Sequence, residues 1–167
     1  GAGQRIAVDP NNSAVVYVTT RGAKDSKVTE TNGTFKTTRG GAPGSWEKVN
    51  DLCGNFVLFD PSGGVVNGVT RTIYIGTAQG VQRSTDGGAT FALMPGSPAL
   101  ATRVAIHSSG ILYVTAGSPW SGKPNGGVFK WSNGAWTAIS PPTPGTYSAV
   151  AVNPQNKDQV VVSSCSF

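Results

Sequence analysis

Short apolar runs alternate with polar breaks along the whole chain. Ile6-Ala7-Val8-Asp9-Pro10 is followed by Val15-Val16-Tyr17-Val18-Thr19, and Val57-Leu58-Phe59-Asp60-Pro61 by Thr72-Ile73-Tyr74-Ile75-Gly76. Arg103-Val104-Ala105-Ile106-His107 then precedes Ile111-Leu112-Tyr113-Val114-Thr115, and Ala149-Val150-Ala151-Val152-Asn153-Pro154 precedes Val160-Val161-Val162-Ser163. Runs of this length, rich in β-branched and aromatic residues and bounded by turn formers, predict strands joined by tight turns. No segment sustains a helical period.

A third matched segment follows in each unit. Gly33-Thr34-Phe35-Lys36, Gly80-Val81-Gln82-Arg83 and Gly127-Val128-Phe129-Lys130 share a shape, with spacings 80 − 33 = 47 and 127 − 80 = 47. The aromatics Trp46, Phe91 and Trp136 close the units at spacings of 45 and 45. A repeat of about 40–50 residues with four short strands is the mark of a β-propeller blade. The fold class expected is therefore all-β, with blades of four antiparallel strands. The blades fall at about 5–50, 56–95 and 103–140, with the start of a fourth at 148–167, in one partial domain spanning 1–167. That is about three and a half blades of a presumed seven-bladed ring. Closure takes roughly 4–8 blades, so the expected companions are the remainder of the propeller or other chains.

Ser84-Thr85-Asp86-Gly87-Gly88-Ala89-Thr90-Phe91 joins the third and fourth strands of the second unit. It reads Ser-x-Asp-x-Gly-x-Thr-aromatic, an Asp-box. Asp86 is placed to accept from backbone amides two or three residues on. Gly87 and Gly88 suit positive φ, and Phe91 suits a plug. Ser84, Asp86, Gly88 and Phe91 are thus expected to be structural. The motif decays elsewhere. Thr37-Thr38-Arg39-Gly40-Gly41 lacks the Asp, and Trp131-Ser132-Asn133-Gly134-Ala135-Trp136 is shortened, with Asn133 in its place. Trp46, Trp131 and Trp136, at repeated positions, are expected in the core or as plugs.

Composition narrows the chemistry. The 23 Gly and 11 Pro fall between the apolar runs and fit many turns. The net charge is +5 but only 13% of residues are charged, and the basic residues are scattered, which argues against nucleic acid as a partner. No apolar run is long enough to span a membrane. Such a hydroxyl-rich, lightly charged surface suits a secreted, extracellular protein. Cys53, Cys165 and the single His107 have no metal-ligand spacing, so no metal and no cofactor are expected. A Cys53–Cys165 disulfide and two separate thiols both stay open. Asn11-Asn12-Ser13 and Asn32-Gly33-Thr34 match the glycosylation sequon.

The wider phrasing resembles the glycoside hydrolases of family 74. The resemblance is carried by Gln4 to Asn12, by Ile73-Tyr74-Ile75-Gly76-Thr77 running to the Asp-box, by Gly110 to Thr115 with Gly127 to Trp131, and by Ala149 to Asn156. It implies a section of a secreted xyloglucanase-like β-1,4-glucan hydrolase whose ligand is a plant cell-wall polysaccharide or other glycan. Family members use two Asp residues with inversion. One carboxylic acid protonates the leaving oxygen while a second carboxylate activates water. No stretch of this chain matches either, so the catalytic residues are unknown and the chain alone is expected to be inactive. The alternative is a non-catalytic Asp-box propeller that binds glycans or proteins, assembled with other chains.

Asp9, Asp60 and Asp86 fall in the turns of one face. The opposite face carries the second-to-third-strand loops at about 20–32, 77–80 and 116–125, along with Asp25, Glu30 and Asp51. There Trp120, between Pro119 and Ser121, offers an indole face to sugar C–H groups. Arg21 offers donors to hydroxyls, and Tyr147 offers a second ring. These three are the substrate-binding candidates.

Overall fold

The computed structural model describes residues 5–20, 32–117, 126–142 and 145–164. Among them the chain is all strand and turn. The first sheet is β1 (Ile6–Asp9), β2 (Asn12–Thr19), β3 (Thr34–Thr37) and β4 (Glu47–Asn50), in that order. The second has β5 (Gly54–Phe59), then β8 (Ile73–Thr77), β9 (Val81–Ser84) and β10 (Ala92–Leu93). A small hairpin, β6 (Val65–Val66) with β7 (Val69–Thr70), is inserted between its first two strands. The third sheet is β11 (Ala101–Ile106), β12 (Leu112–Ala116), β13 (Gly127–Ser132) and β14 (Ala135–Ala138). A two-stranded sheet follows, β15 (Tyr147–Asn153) with β16 (Asn156–Ser164). All pairings are antiparallel between chain neighbours within a sheet, which is the blade topology of a partial propeller.

The core lies between sheets. Val15, Tyr17, Val57, Phe59, Ile73 and Ile75 pack together at the first seam. Phe56, Tyr74, Val81, Met94, Ala101, Leu112 and Val114 pack at the second. Successive side chains of a strand face opposite ways, so Ile73 and Ile75 enter one seam and Tyr74 the other. This is why β8 and β12 are buried at every position and read as continuous apolar runs. Phe56 pairs with Gly76, and its ring covers the glycine so closely that a Cβ there would sit 2.1 Å from ring carbon Cε1.

Each second strand carries a tyrosine paired across the sheet with a cation of the third strand. The pairs are Tyr17 with Lys36, Tyr74 with Arg83 and Tyr113 with Lys130. The cationic groups lie 5.6, 6.0 and 5.9 Å from the respective ring centroids. Such contacts stabilise by about 0.5–1 kcal/mol at exposed sites. Tyr17 and Tyr113 also bond to the following sheet, Tyr17 Oη donating to Gly87 O at 3.5 Å and Tyr113 Oη to Lys157 O. Tyr74 Oη instead donates to Asp60 in its own sheet at 3.4 Å. Burial pushes the Tyr17 hydroxyl up to about 12, helped by Asp9 and Asp86. Tyr74 is likewise pushed up to about 12, by burial first and Asp60 second.

The turns between first and second strands latch neighbouring sheets. Buried Asp9 accepts from Asn11 N at 2.8 Å, then from Thr70 N at 2.8 Å and Thr70 Oγ1 at 2.5 Å on the inserted hairpin. Asn11 Nδ2 donates to Thr70 Oγ1 at 2.8 Å, which commits the first sequon asparagine to the seam. Asp60 accepts from Ser62 N and Oγ at 2.8 and 2.6 Å. Ser109 N donates to His107 Nδ1 at 3.1 Å, so the Nε2–H tautomer donates to Pro154 O at 3.1 Å and ties the third sheet to the fourth.

The Asp-box turn is closed from both ends. Ser84 Oγ accepts from Gly88 N at 2.8 Å and donates to Asp86 Oδ1 at 2.7 Å. Asp86 then accepts from Ala89 N and Thr90 N at 3.0 Å each and from Thr90 Oγ1 at 2.6 Å. These bonds favour the carboxylate and hold its pKa well below the usual carboxylate range, Thr90 contributing most. The corresponding turn of the first sheet keeps the glycine geometry, with φ of 63° and 85° at Gly40 and Gly41 against 76° and 87° at Gly87 and Gly88. Hydroxyls replace its acid: Thr37 Oγ1 lies 2.6 Å from Ser45 Oγ and accepts from Arg39 N at 3.1 Å.

Several expectations need correction. Asn133 does not stand in for Asp. It sits at φ 52° with Gly134 at 80° in a two-residue hairpin between Ser132 and Ala135, where tolerance of left-handed backbone is what counts. Trp46 is not in the core: it is 38% exposed and lies over the turn at Gly41. Trp131 and Trp136 do pack against the second seam, half-buried, with ring centroids 5.3 Å apart. Phe91 is half-buried at the first seam, ahead of β10 rather than in it. Cys53 is a half-buried free thiol, and Cys165 lies outside the described residues.

Two outcomes follow for stability. A Cβ on Gly88 would sit 2.1 Å from Tyr17 Oη, at a φ of 87°. Gly88→Ala should therefore destabilise the chain by more than the ~1–2 kcal/mol of left-handed strain alone. Adding Tyr17→Phe should recover part of the loss in urea unfolding, and strictly additive losses would show that the two do not meet. For Asp86 the folded pKa is the depressed one. Its stabilisation is complete above about pH 4 and fades as pH falls through the folded value. The melting-temperature gap between the parent and Asp86→Ala should accordingly be constant near neutrality and close in acid. A gap unchanged in acid would exclude the carboxylate as its source.

Candidate functional site: the loop face

The face opposite the latching turns is where the second-to-third-strand loops emerge. Arg21 and Trp120 lie outside the described residues, as do Asp25 and Glu30. The structure fixes the necks from which their loops leave. In the first sheet Thr20 N donates to Gly33 O at 2.9 Å, and Thr20 Oγ1 accepts from Gly33 N at 2.9 Å. Beneath this neck Leu52 O accepts from Thr34 Oγ1 at 2.8 Å, and Thr19 Oγ1 accepts from Gly54 N at 2.8 Å. Two threonines thereby tie the link between sheets to the loop base. In the third sheet the neck is the Ala116–Gly127 pair, braced by Gly117 N donating to Leu100 O at 3.0 Å.

The second loop is different in kind. Thr77 N donates to Gly80 O at 2.8 Å and Gly80 N to Thr77 O at 3.3 Å, so only Ala78 and Gln79 project. Leu100 N donates to Ala78 O at 2.8 Å and holds this short turn against the next link. The long first and third loops therefore flank a short second one.

Tyr147 does not join them. It opens β15 with 5% of its surface exposed, so its ring has no open face for a sugar, and the expectation of an accessible ring is corrected. A Tyr after Pro and Gly reads as a loop residue, yet it begins a strand that packs on the third sheet. Asn55 was not singled out by sequence. Its Nδ2 donates to Ala101 O at 2.9 Å and joins the second sheet to the third beside the loop face.

The carboxylates are distributed unequally. Asp9, Asp60 and Asp86 are consumed by the turns of the other face. On the loop face Asp51 is 92% exposed and forms an ion pair with Lys48 at 2.5 Å. Asp158 is held by Lys130 at 3.0 Å and Lys157 at 2.5 Å, an arrangement that lowers its pKa. Among the described residues no group of three or more His, Cys, Asp and Glu is placed to hold a metal ion. No helix among the described residues is long and apolar enough to cross a membrane.

Comparison with known proteins agrees with this geometry. No protein-family model matches the chain. It is 32% identical over an alignment 197 positions long to the xyloglucanase Xgh74A of Acetivibrio thermocellus, covering 97% of this chain and 22% of that protein. It is 35% identical to a xyloglucanase of Paenibacillus, again over 97% of this chain but 18% of the relative. The crystal structure of the Niastella koreensis GH74 enzyme superposes on 96% of this chain with a TM-score of 0.76 and 33% identity, using 24% of its own length. The chain thus spans about a fifth of the length of the curated relatives it matches. Over nearly all of its residues it is similar to a section of the xyloglucanases of glycoside hydrolase family 74, with the blade topology of a partial propeller.

Proposed function

We propose that this chain is a glycan-binding section of a secreted xyloglucan-degrading hydrolase, supplying loops that hold the polysaccharide and no complete catalytic pair. The observation that carries this reading is the match to xyloglucanases along 97% of the chain, at about a fifth of their length. The distribution of acids supports it. An inverting glycosidase needs two carboxyl groups roughly 6.5–9.5 Å apart across the scissile bond. Asp9, Asp60 and Asp86 are instead bonded within turns, and Asp51 and Asp158 are paired with lysines. Trp120 and Arg21, on loops that leave from braced necks, are the residues we assign to the polymer. An indole stacks on sugar C–H faces and a guanidinium donates to hydroxyls. Secretion follows from a polymer substrate that lies outside the cell, and from the lightly charged, hydroxyl-rich composition.

Affinity electrophoresis of the chain in gels containing xyloglucan should show retardation, reduced several-fold by Trp120→Ala. Retardation that survives this substitution would remove Trp120 from the binding surface. The same chain incubated with xyloglucan should release no reducing sugar above background. Sustained release would mean that a catalytic pair is present after all.

A further inference from the structure

The first sheet has an apolar face with no sheet of the described residues against it. Ile6 pairs with Val18 and Val18 with Phe35, while Val8 pairs with Val16 and Val16 with Thr37. Paired residues share a face of the sheet. Ala7 and Tyr17, which alternate with them, face the second sheet. Ile6 and Val8 are 56% and 54% exposed. In the third sheet the same rows hold Val104 with Val114, and Ile106 with Leu112, all packed against the second sheet. In the second sheet they hold Val57 with Ile75, and Phe59 with Ile73, packed against the first. Each of these two sheets turns this set of positions toward the sheet before it in chain order. The first sheet presents the same set uncovered.

The turn beside this face repeats the one that docks a tyrosine. Gly40 N donates to Ala14 O at 2.8 Å, as Gly87 N does to Arg71 O at 2.9 Å. The glycine pairs Gly40-Gly41 and Gly87-Gly88 have matching positive φ. At the second turn Tyr17 Oη donates to Gly87 O at 3.5 Å and fills the space a Cβ on Gly88 would need. At the first turn that space is open. Beyond the chain neighbours no described atom lies within 4 Å of a Cβ built on Gly40, and only the Trp46 ring, at 3.8 Å, approaches one on Gly41. The third sheet shows the converse. Its turn has Asn133 in place of the first glycine, and Tyr74 of the sheet before it bonds Asp60 in its own sheet instead. Phe91, after the second turn, packs into the seam, whereas Trp46, after the first, stays exposed.

We propose that this face is the docking surface for one further four-stranded blade, with a tyrosine at the centre of its second strand. The tyrosine hydroxyl donates to Gly40 O, and its ring rests on Gly41 beside Trp46. Apolar side chains of the same blade cover Ile6, Val8 and Val18, so the new seam continues the stack already present. A second copy of this chain does not supply the blade. Its Tyr17, Tyr74 and Tyr113 are buried in its own seams. In its fourth sheet Val161 holds the tyrosine's place, since Ala151 pairs with Val161 as Ala7, Leu58 and Ala105 pair with the three tyrosines. The contact involves no glycan, so it stands or falls separately from the binding role assigned to Trp120 and Arg21.

The test supplies such a blade. A second copy of residues 5–53 is joined to the chain directly ahead of Gly3, because Gly3-Gln4-Arg5-Ile6 aligns with Gly54-Asn55-Phe56-Val57 at the natural join between the first two sheets. The extended chain should unfold at higher urea than the parent. Nuclear Overhauser contacts should link the ring of the added Tyr17 to the resident Gly41 and Val16. Tyr17→Phe in the added blade should lower the folding equilibrium constant about fivefold, the net contribution of one hydrogen bond. Resident Gly41→Ala should cost more when the added residue is Tyr than when it is Phe. Resident Val8→Lys, at an exposed position, should leave the urea midpoint of the parent unchanged and cancel the gain of the extended chain. An added blade that stays unfolded, strictly additive effects of Tyr17→Phe and Gly41→Ala, or a gain that survives Val8→Lys would each overturn the proposal.

Discussion

The second strand of each interior blade is buried on both faces, and the rest of the structure depends on that constraint. A sheet in this position has no solvent side, so every side chain must match one seam or the other. In β8 the alternation sends Ile73 and Ile75 back to the first sheet and Tyr74 forward to the third. Burial of this kind is non-directional and would tolerate sliding of one sheet over another. The tyrosine hydroxyls remove that freedom. Tyr17 stands on Gly87 and Gly88, and Tyr113 on the backbone of Lys157, so two seams gain a polar contact at a defined height. Leaving such a buried hydroxyl unmet costs about 1–3 kcal/mol. That cost selects one stacking over its neighbours.

The two ends of each blade then take different work. At one end Asp9, Asp60, Asp86 and His107 are engaged by turns and by adjacent sheets, and few of their bonding sites stay open. At the other end the backbone is pinned at the loop bases, by Thr20 with Gly33 and by Thr77 with Gly80, and at the links between sheets, by Thr19 with Gly54 and by Ala78 with Leu100. Loops of very different length leave from equivalent necks without disturbing the sheets below. A loop face built this way can change its residues at little cost to the fold. Asp9 in particular is committed to the fold, because its bonds to Thr70 hold two blades together.

Much of the blade pattern was legible in the sequence because it repeats. The runs at Val15, Ile73 and Leu112 announce strands buried on both sides, and the 47-residue spacing of Gly33, Gly80 and Gly127 marks the third strands. The Asp-box was legible as a turn for the same reason. Features that depend on a neighbouring blade were not. The hairpin of β6 and β7 is two residues per strand, below any periodicity, and it owes its place to Asp9 of the preceding sheet. Tyr147 looked like a loop residue, yet it opens a strand that packs on the preceding blade. Trp46 looked like a plug, yet the turn beneath it has an insertion that leaves the indole on top. The pairing of Tyr17, Tyr74 and Tyr113 with Lys36, Arg83 and Lys130 was visible in principle. Each tyrosine lies at the centre of a second-strand run, and each cation lies three residues after the glycine that opens the third strand.

The three turns between third and fourth strands show which part of the Asp-box the fold requires. One is closed by the Asp86 carboxylate, one by the hydroxyls of Thr37 and Ser45, and one by left-handed backbone at Asn133 and Gly134. The sheets they serve have the same order and pairing. A negative charge is therefore not what the position demands, and a fully exposed carboxylate such as Asp86 contributes through local bonds that water screens. Common to the first two turns is a pair of glycines at positive φ. In the second turn, the one docked by Tyr17, a side chain on Gly88 would collide with the tyrosine. The acid is one of several ways to close the turn. The bare glycine backbone is what lets the preceding blade dock, so in this chain the motif is better read as half of a contact between blades than as a self-contained loop.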